Sequence, residues 1–409
     1  MRAPLAEQLS SASFADEAVG IVRSCVHCGF CNATCPTYQL TGDEREGPRG
    51  RIYLIKALLE DDAAGATTRL HLDHCLVCRN CETTCPSGVR YGRLLELVRP
   101  LVYARAGLPL TRRLLRWLLL QSIPHPRRLR PLVALGRLLR PLLPRRQARM
   151  LAAAGPLPAA GVPRHARRVL LLGGCAQAVL NPAIDAHASR IFDALGVSLI
   201  KVPGADCCGA LAHHLGAAAA ARATARANLD AWQAELERGA EAVLATASAC
   251  TLQLKEYVSL LADDPHYAAR AAQVAALARD PLELIGASEL VTLAGRIAGQ
   301  GRKVAVQAPC SLQHGQRLDG GIERLLGALG YALTPVNEAH LCCGSAGAHA
   351  LFEPRTATSL GERKLANLLE GQPQVIVTAN IGCQLHLGSM TPLPVKHWLE
   401  LLADDLAAA

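Results

Sequence analysis

Aromatic residues are scarce: four Phe, three Trp and seven Tyr among 409 residues. Ala, Leu and Val must therefore fill the core, and few rings are available to stack on single-stranded nucleic acid. No run of 18 or more apolar residues occurs, so no transmembrane helix is expected. The stretch Met1 to Gly20 carries Glu7, Asp16 and Glu17 and lacks a continuous apolar segment, so it does not read as a signal peptide. A dinucleotide fingerprint is missing too, because Gly173-Gly174 follows an apolar run without the remaining glycines. Residues 101–150 hold no Asp, Glu or Lys. Finally, no cysteine is left over from the groups described next. These absences point to a chain in a reducing, cytoplasmic setting, where grouped cysteines serve as metal ligands more readily than as disulfides.

What is present is sixteen cysteines in four groups of four. They are Cys25, Cys28, Cys31 and Cys35; Cys75, Cys78, Cys81 and Cys85; Cys175, Cys207, Cys208 and Cys250; and Cys310, Cys342, Cys343 and Cys383. A chain of 409 residues that is 50% apolar has room for two to four packed domains. The expected fold is α+β and multidomain. Residues 1–100 would form an α-helical domain, 101–165 an Arg/Leu/Pro-rich helical linker, and 166–290 and 291–409 two tandem α/β repeats.

The first two groups both read C-x2-C-x2-C-x3-C-P. A cubane cluster needs four thiolates. Three closely spaced cysteines wrap one cluster, and the fourth commonly ligates its neighbour in two-cluster proteins. That assigns Cys25, Cys28, Cys31 and Cys85 to one [4Fe–4S] cluster, and Cys75, Cys78, Cys81 and Cys35 to a second. Zinc uses pairs of C-x2-C and leaves the third cysteine of each run without a place. Arg23, Arg49, Arg51, Arg79 and Arg90 could offset the anionic clusters, or each be an ordinary surface charge. Helices are expected over Arg51–Glu60 and over Leu94–Val102, the latter interrupted near Pro100. Nothing in this region suggests a catalytic residue; it reads as a one-electron relay.

The last two groups belong to an internal duplication. Val169–Leu172 precedes Cys175 and Val304–Val306 precedes Cys310; Cys207 and Cys342 each follow 31 intervening residues later. Short strands are expected at Val197–Val202 and Tyr331–Val336, and at Val243–Ala247 and Val375–Ala379. Parallel sheets follow from this alternation, and sites form at the carboxyl ends of such strands. Each quartet would then meet at one sheet edge, with Gly209 or Gly344 permitting a tight turn beside it. Vicinal cysteines are too close for the usual disulfide span. Three uses remain open: an additional Fe–S cluster, zinc or a purely structural role, and a redox-active thiol site. His213, His214, His314 and His349 stand nearby, most simply as hydrogen-bonded residues.

The net charge of +9 is local, because residues 101–150 carry twelve Arg. With Leu114, Leu115, Trp117 and Leu118 interleaved, this segment suits anionic lipid at a membrane surface, a partner subunit, or a plain amphipathic linker. No nucleic-acid reader motif accompanies it, so no nucleic acid is expected.

The strings Cys25-Val26-His27-Cys28-Gly29-Phe30-Cys31, Gly47-Pro48-Arg49-Gly50-Arg51-Ile52, Cys75 to Pro86, Cys342-Cys343-Gly344-Ser345-Ala346-Gly347 and Thr378-Ala379-Asn380-Ile381-Gly382-Cys383 together resemble the iron–sulfur subunits of bacterial glycolate oxidase, across nearly the whole chain. The resemblance implies a helical ferredoxin domain and two Cys-Cys-Gly domains. It implies FAD-binding partner subunits that oxidise glycolate, or D-lactate, to the 2-oxo acid. Electrons would pass through this chain toward a quinone or respiratory acceptor, at the cytoplasmic face of the inner membrane. Alternatives are the equivalent subunit of an anaerobic glycerol-3-phosphate or lactate dehydrogenase, and a heterodisulfide-reductase-like thiol/disulfide catalyst. The last departs from the sequence: Ala247 and Asn380 stand where that family has a fifth cysteine.

Overall fold

A computed structural model describes residues 12–61, 65–151, 164–297 and 299–406. The first eleven residues of the Met1–Gly20 stretch, and part of the linker, lie outside the described residues. The helix Pro48–Asp61 contains the expected Arg51–Glu60. Its Ile52, Ile55, Leu58 and Leu59 share one buried face, as a 3.6-residue period requires. They pack against Ile21 of the helix Ala12–Arg23 and Leu94, Leu95 and Val98 of the helix Tyr91–Ala106.

Pro100 does not interrupt that last helix, contrary to expectation. The buried stripe of Leu94, Leu97, Val98, Leu101 and Val102 runs through it, and tertiary packing offsets the roughly 3 kcal/mol that an internal proline costs. Pro131 likewise sits inside the helix Pro126–Leu138. Otherwise the Arg-rich segment is the expected set of short helices, Leu110–Ser122, Pro126–Leu138 and Arg145–Met150.

The remaining chain forms two parallel sheets. Strands β1 (Arg167–Leu171), β2 (Val197–Lys201), β3 (Ala242–Leu244) and β4 (Ala278–Arg279) lie in the order β2-β1-β3-β4. Strands β5 (Lys303–Gln307), β6 (Ala332–Leu333), β7 (Val375–Thr378) and β8 (Val395–His397) repeat that order as β6-β5-β7-β8. The duplication thus extends to strand order. β4 and β8 were not foreseen from sequence, and β6 is shorter than Tyr331–Val336, with Ala332 and Leu333 exposed at the sheet edge. The repeats share a core in which Ala188 and Ile191 of the helix Ala183–Ala194 meet Leu399 and Leu402 of the helix Trp398–Asp405. Between the sheets, Ser248 N donates to the Ala379 carbonyl at 3.0 Å and His397 Nε2 lies 3.0 Å from the Thr246 carbonyl.

Candidate metal centres

The two ferredoxin-type motifs fold as copies. The short helices Phe30–Thr34 and Asn80–Thr84 follow their cysteine turns, and the Thr34 and Thr84 hydroxyls meet at 3.1 Å. In the turns, His27 and Val77 have φ of +54° and +51°, and Gly29 and Arg79 have +86° and +60°. A β-branched residue at positive φ is strained. Positive φ falls at the same places in both motifs, where the backbone must curl around whatever the thiols bind.

One cavity is lined by Cys25, Cys28, Cys31 and Cys85, and another by Cys35, Cys75 and Cys78. Cys81 borders both, and its charge environment places it with the second. Burial, then Cys78, Cys75, Glu82 and Cys35, push its thiol well up. Burial, with Cys25 and Cys85 adding repulsion, pushes Cys31 up to about 11. The fourth cysteine of each motif therefore sits with the other motif's first three. Thiols so crowded become thiolates only beside a cation, and four sulfur donors per cavity suit an iron–sulfur cluster. Cys28 is exposed, as are the flanking Val26 and Phe30.

The arginines are bound into pairs. Arg49 reaches Glu44 at 2.6 Å and Arg90 reaches Glu17 at 3.2 Å, while Arg23 is exposed. Arg51 is 1% exposed, no ordinary surface charge. It donates to Glu46 at 2.8 Å, to the His71 carbonyl at 2.7 Å and to the Thr37 hydroxyl at 3.2 Å. Arg79 pairs with Glu96 at 3.1 Å and with Glu256 of the first repeat, tying the helical domain to it. Burial, with Glu96 next, pushes Glu256 up to about 7.

In the repeats, each quartet assembles beyond the carboxyl ends of its strands. Cys175 contacts Cys207, and Cys208 contacts Cys250. Cys310 contacts Cys342, and the sulfurs of Cys343 and Cys383 lie 3.2 Å apart. Gly209 and Gly344 have φ of +87° and +90°, and their N–H groups donate to Cys207 and Cys342 at 3.4 Å. A Cβ on Gly344 would lie 2.5 Å from the Ala357 carbonyl oxygen, so only glycine fits. Asn380, in place of the fifth cysteine, caps the helix Ile381–Gly388 by accepting from Gly382 N at 3.0 Å.

The quartets are not equivalent. Cys310 also contacts Cys78 of the helical domain, so the second quartet touches the ferredoxin-type cysteines. Lys364, 1% exposed, faces this quartet and donates to the Ala339 carbonyl at 2.8 Å. Burial pushes its pKa down, opposed by Cys310, Cys343, Cys342 and Cys383. At the matching place on the first repeat's helix stands the buried Asn228, whose Nδ2 donates to the Cys207 carbonyl at 2.7 Å. The histidines bridge domains instead of joining the thiols: His314 meets Thr83 at 3.0 Å and His349 meets the His74 carbonyl at 3.2 Å.

This combination, a helical two-cluster domain followed by two parallel-sheet cysteine-rich repeats, defines an iron–sulfur protein. Residues 21–89 match the 4Fe-4S dicluster domain family, and residues 169–255 and 304–388 each match the Cysteine-rich domain family. The chain is 48% identical to the glycolate oxidase iron-sulfur subunit of Escherichia coli (strain K12), over 99% of each chain. It is 29% identical to the probable glycolate oxidase iron-sulfur subunit of Bacillus subtilis (strain 168), over 90% of this chain and 88% of that one. Lactate utilization protein A of Exiguobacterium sp. is 23% identical over 59% of this chain and 99% of its own length. The chain belongs to the family of glycolate oxidase iron–sulfur subunits.

Proposed function

We propose that this chain is the electron-transfer subunit of a complex whose FAD-binding subunits oxidise glycolate, and D-lactate as a second substrate, and that it delivers electrons toward a quinone or other respiratory acceptor. The observation that carries this is the sorting of eight cysteines into two quartets. In this reading Cys25, Cys28, Cys31 and Cys85 hold one cluster, and Cys35, Cys75, Cys78 and Cys81 hold the other. Each cluster, when bound, supplies reversible one-electron transfer. The exposed edge at Val26, Cys28 and Phe30 is where a flavin-bearing partner docks. Cys78, in contact with Cys310, points the opposite end toward the second repeat. There Cys310, Cys342, Cys343 and Cys383 bind a further cluster with Lys364 as its buried counter-charge. Cys175, Cys207, Cys208 and Cys250 hold a structural metal.

No helix among the described residues is long and apolar enough to cross a membrane. The Arg-rich helices instead expose Leu110, Leu114, Trp117, Leu138 and Leu142 beside the exposed Arg113, Arg127, Arg130 and Arg140. That mixture suits peripheral contact with anionic lipid. The test is anaerobic co-purification with metal analysis and glycolate-driven reduction followed by EPR. Roughly eight irons or more per chain, reduced by glycolate through a flavin subunit, support the reading. A complex active on glycerol 3-phosphate and inert to glycolate overturns the substrate assignment.

A further inference from the structure

Two carboxylates lie buried side by side where the helical domain meets the first repeat. Glu96 of the helix Tyr91–Ala106 and Glu256, just after the helix Ser248–Lys255, bring oxygens within 4.8 Å of each other and of a ring nitrogen of His213. Their side chains are 5% and 16% exposed. Glu256 also borders a cavity of about 550 Å³ that Cys75, Cys78 and Arg79 line as well. We propose that Glu96 and Glu256 hold one proton between them, taking it from solvent when an electron reaches the site of Cys35, Cys75, Cys78 and Cys81 and returning it when the electron leaves. The proposal rests on the electron-transfer reading above and adds a proton to it.

Donors are in short supply at the pair. Arg79 Nη2 reaches both carboxylates, Glu96 at 3.1 Å and Glu256 on its other side. Arg93 stands 4.0 Å from Glu96 but gives its Nε and Nη2 to Glu17, at 3.1 and 2.7 Å. Arg99 is a further cation near Glu96, with its Nη atoms bonded to the Leu72 and His214 carbonyls. Glu82 adds a third carboxylate near Arg79 and accepts from Gly92 N. Lys255 is taken by Glu283 at 2.7 Å. His213 supplies one more acceptor. Its Nδ1 donates to Gln253 Oε1 at 3.2 Å, so in the neutral ring Nε2, 3.8 Å from Glu96, is bare. Burial keeps both His213 and the adjacent His214 neutral. Two ionised carboxylates and a bare imidazole nitrogen around one shared guanidinium repel one another, and a single proton relieves them. Burial, with Glu96 next, accordingly raises Glu256 to about 7, and burial raises Glu96 too.

Arg79 joins this proton to the electron. It follows Cys78 in sequence and lines the cavity of Cys35, Cys75, Cys78 and Cys81, so one cation answers to negative charge on both sides. An electron arriving at those thiols adds a negative charge beside Arg79, which raises the affinity of Glu96 and Glu256 for a proton. The balance is one electron from the flavin-bearing partner and one proton from solvent. Both leave on oxidation, and the carboxyl O–H is the bond that forms and breaks. A gain of about tenfold in proton affinity is expected, the low end of what a neighbouring unit charge does.

The test uses the full chain, purified anaerobically with its clusters. EPR-monitored redox titrations are run from about pH 5 to about 9, and proton uptake on reduction is read with an indicator dye in weak buffer. One cluster's midpoint potential should be flat below about 7 and fall above it by about 59 mV in all, the equivalent of tenfold for one electron. The other cluster's potential should stay flat. Glu96→Gln and Glu256→Gln, verified as loaded by iron content, should each abolish the dependence, while Glu256→Asp should keep part of it. A merely structural role would shift the potential equally at every pH. Potentials of both clusters that ignore pH, no proton uptake by the parent, or a dependence unchanged in both loaded Gln variants overturns the proposal. A chain with no reducible cluster overturns the electron-transfer reading itself, and the proposal with it.

Discussion

Replacing Arg51 by Met tests whether the buried ion pair beside the second thiol quartet holds the helical domain together. Burial opposes the Glu46 charge, but hydrogen bonds from His74 and His71 and the Arg51 guanidinium together hold its carboxyl at about 2, down from 4.5. That shift corresponds to roughly 3 kcal/mol, shared among His74, Arg51 and His71. Loss of Arg51 also strands the buried His71 carbonyl and Thr37 hydroxyl that it reaches at 2.7 and 3.2 Å, at about 1–3 kcal/mol each. The expected cost is about 3–5 kcal/mol, in line with other broken buried pairs. For a domain of this size that lowers the melting midpoint by roughly 12 °C or more. The assay is thermal loss of the cluster's visible absorbance. The sign with pH follows from the lowered value: Glu46 contributes stability above 4.5 and loses it as pH falls toward 2. Arg51→Met should therefore move the acid transition upward in pH. Adding Glu46→Gln removes the orphaned charge and should recover part of the loss. A single variant melting within about 2 °C of the parent refutes the reasoning, since that is less than 1 kcal/mol.

Four further outcomes follow from other sites. Cys28→Ser should remove one cluster's EPR signal and block acceptor reduction while the partner flavin is still reduced by substrate; unchanged acceptor reduction refutes its role as a ligand. Gly344→Ala, with its Cβ 2.5 Å from the Ala357 carbonyl oxygen, should destabilise by about 2 kcal/mol or more, whereas Gly42→Ala, which meets nothing within 4 Å, should cost only about 1 kcal/mol; denaturation midpoints compare them. Because Glu256 is raised to about 7, its contribution to stability is complete at acid pH and declines as pH rises from 4.5 to 7. Glu256→Gln should flatten that slope in urea titrations, and an unaltered slope would discount the group. Trp117→Glu should weaken flotation with anionic vesicles and leave neutral vesicles unaffected, and added salt should weaken the parent's binding too.

Much of this architecture could be read from spacing alone. The crossed quartets followed from C-x2-C-x2-C-x3-C-P, and the parallel sheets from apolar runs preceding each cysteine. What escaped were features set by tertiary contact. β4 has two residues, Ala278 and Arg279, too few for a periodic signal, and β8 reads Val-Lys-His. Pro100 looked like a break because local propensity cannot see the core that its helix crosses. Arg51 and Arg79 were indistinguishable from Arg23 in sequence. Their burial depends on Glu46, Glu96 and Glu256, the last more than 170 positions away from Arg79. The cavity and the contact of Cys78 with Cys310 join segments more than 200 residues apart, where periodicity carries no information.

The two repeats share strand order, glycine turns and thiol count, yet Lys364 has the neutral Asn228 as its counterpart. A buried ammonium tolerates no idle neighbour, since it is costly without negative charge beside it. Duplication thus left twins of one shape and unequal temperament: one copy keeps a cation buried beside its four thiols, and the other a neutral amide in the same place. Exchanging Lys364 and Asn228 between copies would ask whether that difference resides in a single side chain.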